Sequence, residues 1–241
     1  GHGGTNDDGT KSGLITLTGA AALADQGDVS LLSDAAGTGT GNFLQIGHGG
    51  SDADGEALDN ITLTNFRDIT LEGGGSTQSQ ALIGHGGRAG NEVMTAHVDI
   101  TASRDVTLTA GGGEDSFAQI GLGGSSHSGN LCGAVTVATG GDILMTGGLG
   151  ENAFSMIGLG GNGGSGTKQG QVSVTSSGGG LTMTGGDSAT TADAFVFIGN
   201  GGHASGGLIT LSDTVVNVAG AIDMNAGAAT RSYVQIGAGG Q

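Results

Sequence analysis

Three histidines stand at the same place in a recurring phrase: His2, His48 and His85 each sit inside Gly-His-Gly-Gly. Three imidazoles gathered at one point could bind a transition metal through nitrogen. If the phrase marks stacked laps of chain, however, the rings lie nearly parallel and about 4.8 Å apart, which suits tetrahedral convergence poorly. Later copies carry Leu122, Leu159, Asn200 and Ala238 at this position, so the file also accepts apolar residues.

Acidic loops are the second candidate. "TNDDGT" and "SDADGE" follow the first two of these corners, which aligns Asn6 with Asp52 and Asp8 with Asp54. Asp-X-Asp-Gly with Glu56 close by resembles the start of a calcium loop, where hard carboxylate oxygens and a glycine turn surround the ion. The full twelve-residue pattern is missing, and an acidic solvated turn explains the same letters. A third candidate is the row Asp28, Asp68, Asp105 and Asp142, one ahead of a strand in each of four copies. An Asx turn accounts for an Asp there, but a vertical row of like charges repels unless solvated or bridged. Calcium is therefore the one cofactor these residues suggest, and it would stabilise the chain modestly.

No catalytic set emerges, and the expectation is that the chain is not an enzyme. Cys132 and His127 are five apart in a glycine-rich loop with no third partner, and a nucleophile needs an oriented base. Cys132 reads instead as a small, partly buried apolar residue. An enzyme acting on acidic polysaccharides needs basic side chains at one place, whereas Lys11, Arg67, Arg88, Arg104, Lys168 and Arg231 are scattered.

What positions these residues is a repeat. Isoleucine followed by Gly-X-Gly-Gly occurs at Ile46, Ile83, Ile120, Ile157, Ile198 and Ile236, at spacings of 37, 37, 37, 41 and 38. The copies are 1–46, 47–83, 84–120, 121–157, 158–198 and 199–236, with a further corner beginning at 237–241. The chain opens inside its own repeat, which suggests a piece of a longer protein. Each copy holds three strand-like runs: a first such as Ile61-Thr62-Leu63, a second such as Ile69-Thr70-Leu71, and a third leading into the corner, such as Phe117-Ala118-Gln119-Ile120 of the next copy. In the sixth copy, Ile209-Thr210-Leu211 and Val216-Asn217-Val218 compete for the first strand. Three short strands per copy, repeated in register, predict an all-β, single-domain parallel solenoid of about six coils, one copy per coil. The 13 residues between corner and first strand read as too polar for a further buried strand.

Composition agrees. The chain has 241 residues, 56 of them glycine, and no proline. Glycine serves the sharp corners, and central strands must keep every backbone N–H. A flexible linker would not hold an apolar register over six copies. A net charge of −16 excludes nucleic acid as a partner, and no apolar run reaches membrane-spanning length.

Alternation puts Ile61 and Leu63 inward and Thr62 and Thr64 outward. Outward residues then form columns along a rod of about 29 Å, six steps of roughly 4.8 Å. The rows Thr62-X-Thr64, Thr107-X-Thr109 and Thr182-X-Thr184 could order water, an ice-binding reading weakened by Leu144 and Asp223, which interrupt a uniform array. An aromatic file, Phe43, Phe117, Phe154, Phe195 and Tyr233, lies three residues before the isoleucines, with Gln80 in the second copy. Parity turns it away from the main interior or onto a bend. A structural ladder explains it better than a strip for stacking on sugars.

The phrases "GEDSFAQIGLGG" (113–124), "RDVTLTAGGG", "DITLEGGG", "QIGHGG" and "YVQIGAGG" resemble the repeats of large bacterial exoproteins of the filamentous haemagglutinin type, over essentially the whole chain. That resemblance implies a right-handed β-helix secreted by a two-partner route, an extracellular or cell-surface stalk, adhesin or fibre. The partners it implies are a glycan or cell-surface receptor. Open strand edges at the two ends would add end-to-end self-association into filaments.

Overall fold

A computed structural model describes residues 2, 4–20, 27–187 and 193–239. Among them there is no helix; every strand pairs in parallel with its equivalents in neighbouring copies. The chain is a β-solenoid of about six laps.

Four sheets run along it. The first is built from Ile15–Thr18, Ile61–Phe66, Val98–Ala102, Val135–Thr139, Val172–Ser176 and Thr214–Val218. The second stacks Val29–Leu32, Ile69–Glu72, Val106–Thr109, Ile143–Thr146, Leu181–Thr184 and Ile222–Asn225. The corner sheet holds Phe43–Ile46, Gln80–Ile83, Phe117–Ser125, Phe154–Asn162, Phe195–Gly201 and Tyr233–Gly239, with Gly49–Ser51 and Gly86–Arg88 completing its early copies. Register follows the sequence alignment: Ile46 faces Ile83, Ile83 faces Ile120, and the file continues through Ile157 and Ile198 to Ile236.

The fourth sheet corrects the three-strand lap. Glu56–Leu58, Val93–Thr95, Leu131–Cys132, Lys168–Gln169 and Ile209–Thr210 pair in parallel, within the stretch that reads as too polar for a strand. Each is only two or three residues long, so one inward side chain suffices: Ala57, Met94, Leu131 and Lys168 in successive copies, all buried. Ile209 joins this file, which leaves the first-sheet place in the sixth copy to Thr214–Val218.

One apolar core runs through the laps. Ile83, Ile120, Ile157 and Ile198 are fully buried, as are Leu63, Leu71, Leu108, Val137 and Val174. Ile46 and Ile236, towards the two ends, are partly buried against it. Burying one such aliphatic side chain is worth about 1.5–3 kcal/mol, and stacking gives every interior copy two neighbours to do so. The corner demands glycine on two counts. At Gly121 φ is +143°, and a Cβ would lie 1.9 Å from the carbonyl oxygen of Gly158 in the next lap. No other residue permits that backbone and that approach together.

The aromatic file lies outside this core yet away from water. Phe117, Phe154 and Phe195 stack with centroids 4.8 Å apart, and Tyr233 follows at 5.1 Å. They form a second buried cluster with Leu82, Met156 and Phe197. The bend at the corner creates it, because the chain after the bend returns over the outer side of the strand before it. His203 thereby comes within 6.2 Å of Phe195. Phe43, in the first lap, is more than one-third exposed.

Candidate functional site

The histidines do stack: His48 lies 4.8 Å from His85 at 7°, and His2 lies 5.3 Å from His48 at 17°. The ring nitrogens of His48 and His85 are already engaged. Nδ1 of His85 accepts the peptide N–H of His48 (2.9 Å), and Nδ1 of His48 accepts that of His2 (2.8 Å). Nε2 of His48 donates to the carbonyl of Gly13, and that of His85 to the carbonyl of Asp59, each at 2.8 Å. Burial lowers the pKa of both rings, His85 to about 4. These imidazoles are neutral spacers that tie lap to lap, and no lone pair of His48 or His85 is left for a metal.

In the acidic loops, Asn6 and Asp52 share a left-handed backbone, φ 58° and 54°, so the two loops are equivalent as aligned. Asp52 pairs with Arg88 at 3.4 Å, and Asp54 accepts from the Asn91 amide at 3.0 Å. Asp8 and Glu56 are exposed. Among the described residues, no group of three or more His, Cys, Asp or Glu side chains is placed to hold a metal ion.

The aspartate row has its own bridges. Arg67 pairs with Asp28 (2.7 Å) and Asp68 (3.3 Å), and Arg104 pairs with Asp68 and with Asp105 (3.6 Å). The carboxylates also reach along the rod: Asp68 accepts the N–H of Asp105, Asp105 that of Asp142, and Asp142 that of Gly180. Burial alone would raise the pKa of Asp68. Hydrogen bonds from Arg104, Asp105 and Arg67 outweigh it and hold the carboxyl below its usual value.

Cys132 and His127 do not meet. Cys132 is exposed, a correction to the partly buried reading, because the short fourth-sheet strand turns Leu131 inward and Cys132 outward. It lines a groove of about 390 Å³ with His97, Gln169, Gln171 and Asp213. His127 is buried on the other side of the wall.

Outward columns cover both broad faces. On the second sheet, Thr70, Thr107, Leu144, Thr182 and Asp223 stack in register, beside Glu72, Thr109, Thr146, Thr184 and Asn225. On the first, Thr16, Thr62, Asp99, Thr136 and Ser173 do the same.

Sequence reading missed the ionisable residues inside the fourth-sheet lobe. Lys11 is 2% exposed and its ammonium donates to the carbonyls of Asp7, Gly9 and Asp54. Lys168, 1% exposed, donates to those of Gly166 and Gly206. Glu92 and His127 are buried between these two laps. The signal was available: aligned by copy, Glu92 shares a file with Gly9, Gly55, Gly129, Gly166 and Gly207. A long acid amid glycines breaks the pattern of its own repeat.

No protein-family model, curated protein or solved structure matches this chain.

Proposed function

We propose that this solenoid is a structural or adhesive rod of a large secreted bacterial exoprotein, working outside the cell as the filamentous haemagglutinin-like phrases of its repeat imply. One observation carries the reading: short polar side chains stand in register, lap after lap, on two outer faces of a closed apolar spine. Such a spine offers many equivalent weak contacts, and multivalent attachment multiplies their effect without a deep pocket. The partners proposed are glycans or receptors on a cell surface, and further copies of the rod joined end to end into filaments. A glycan array and cell-binding assays with soluble and bead-coupled protein test the adhesive arm. Binding that strengthens sharply on coupling supports it; none in either format overturns it. Negative-stain images test the filament arm, and short monodisperse rods at all concentrations count against it.

A second reading has a specific observation behind it. Thr107, Thr109, Thr146, Thr182 and Thr184 lie on three consecutive in-register strands of the second sheet, a grid of hydroxyls and methyls that could order water as an ice-binding face. Glu72, Leu144 and Asp223 interrupt it. Thermal hysteresis in solution would favour this reading over the adhesive one.

A further inference from the structure

Three acceptors converge inside the fourth-sheet lobe with no other residue to donate to them. Nε2 of His127 lies 3.1 Å from the carbonyl oxygen of Glu92. A carbonyl only accepts, so Nε2 carries the proton and a neutral ring has a bare lone pair on Nδ1. That Nδ1 is 3.7 Å from Oε2 of Glu92. Neither carboxylate oxygen nor Nδ1 receives a hydrogen bond from another residue. Glu92 is fully buried and His127 is 3% exposed. Unpaired buried acceptors of this kind are costly.

The space for the pair is built by its neighbours. Glycines occupy the Glu92 file in the laps on either side, Gly55 and Gly129. A Cβ on Gly90 would fall 2.3 Å from Oε2, and one on Gly49 would fall 2.8 Å from Oε1. The carboxyl fits because those side chains are missing.

We propose that Glu92 and His127 form a proton-sharing pair that ties the third copy to the fourth while one proton sits between them, and that loosens this joint when the proton leaves. With one proton present, the carboxylic O–H on Oε2 donates to Nδ1, which leaves only the neutral carbonyl oxygen Oε1 without a donor from another residue. Without it, a carboxylate faces a lone pair in a dry lobe, and water must enter to separate them. The surrounding charges are Lys11 and Asp7 from the first copy, Asp54 from the second and Lys168 from the fifth. Both lysines spend N–H groups on backbone carbonyls. Burial raises the Glu92 pKa to about 7, opposed by its own backbone N–H and then by Lys11, and aided by Asp54 and Asp7. Burial lowers that of His127 to about 4, aided by Lys168. The acid therefore keeps its proton, and the ring its lone pair, from about pH 4 to about pH 7. A carboxyl whose folded pKa is raised stabilises the fold fully below its unfolded value of 4.5, and this contribution is lost as pH climbs through about 7. The joint belongs to the interior and does not depend on what the outer faces bind.

Hydrogen exchange on the whole chain tests the proposal. Corrected for intrinsic rates, amides of Val93–Thr95 and Leu131–Cys132 should lose protection by about tenfold per unit as pH rises from about 5 to about 7, and level off above it, where open and closed states have both lost the proton. Those of Val106–Thr109 should not. Glu92→Gln keeps an N–H to offer Nδ1 and cannot ionise, so its protection should stay flat. Should Glu92→Gln fail to fold, infrared titration of the wild type reads the carboxylic C=O band directly, which should persist at pH 6, fall to half near pH 7 and be lost above it. The same loss of protection in Glu92→Gln, or a Glu92 carboxyl that ionises with the surface acids near pH 4.5, would overturn the proposal.

Discussion

The peptide N–H of His48 donates to Nδ1 of His85 across 2.9 Å, one lap of chain away. A side chain thus bridges neighbouring laps at the corner of the early copies, where the strand is interrupted between Ile46 and Gly49 and between Ile83 and Gly86. Replacing His85 by leucine, the residue found at this position in the fourth and fifth copies, leaves the N–H of His48 and the carbonyl of Asp59 without partners. Loss of one such buried group costs about 1–3 kcal/mol, and chemical denaturation should show a change of this size. Zinc should shift neither protein's unfolding midpoint.

The same residue sets an acid-side slope. Folded His85 titrates near 4 against a reference value of 6.5, so between those values the unfolded chain binds more protons. Stability is full above pH 6.5 and falls as pH drops towards 4, by at most about 3 kcal/mol for this ring. His127, lowered in the same sense, adds to the fall, and Glu92, whose pKa is raised, offsets one ring's share of it. Denaturation midpoints measured from pH 7 to pH 4 should decline in the wild type and decline less in His85→Leu.

Phe154 tests whether the aromatic file is structural. It is fully buried between Phe117 and Phe195, so no sugar ring can reach its face. Phe154→Ala should cost about 3–5 kcal/mol and leave any glycan affinity of the folded protein unchanged. A selective loss of glycan binding at undiminished stability would restore the sugar-stacking reading.

Calcium should matter little while the arginines are in place. Arg67 and Arg104 already bridge Asp28, Asp68 and Asp105. Removing both, as Arg67→Gln with Arg104→Gln, leaves a row of like charges that divalent cations or added salt can screen. Thermal unfolding with calcium and with chelator should coincide in the wild type and separate in the double variant, calcium giving the higher midpoint.

The sequence made the laps legible because the corner is spelled out each time: Ile120-Gly121 above Ile83-Gly84 needs only a count of 37. It hid the fourth sheet because a two-residue strand such as Lys168–Gln169 carries no alternation to read, and a buried lysine looks like a surface one. The aromatic file was placed off the main core by parity. That it is dry depends on the chain folding back after the corner, a tertiary event no local pattern records. The candidate chemistry was least legible. His48 and His85 look like ligands by type, and only the backbone N–H and C=O groups around them show that both nitrogens are occupied.

The stacking of laps underlies all of this, and a distance between outward residues of well-separated laps measures it directly. Ser30 and Asp223 occupy one outward column of the second sheet, five steps apart through Thr70, Thr107, Leu144 and Thr182. Spin labels at Ser30→Cys and Asp223→Cys, in a Cys132→Ser background, should give a single narrow distribution centred near five steps of about 4.8 Å, or roughly 24 Å. A broad distribution, or a separation far from that value, would contradict the stacked solenoid and the repeated faces proposed from it.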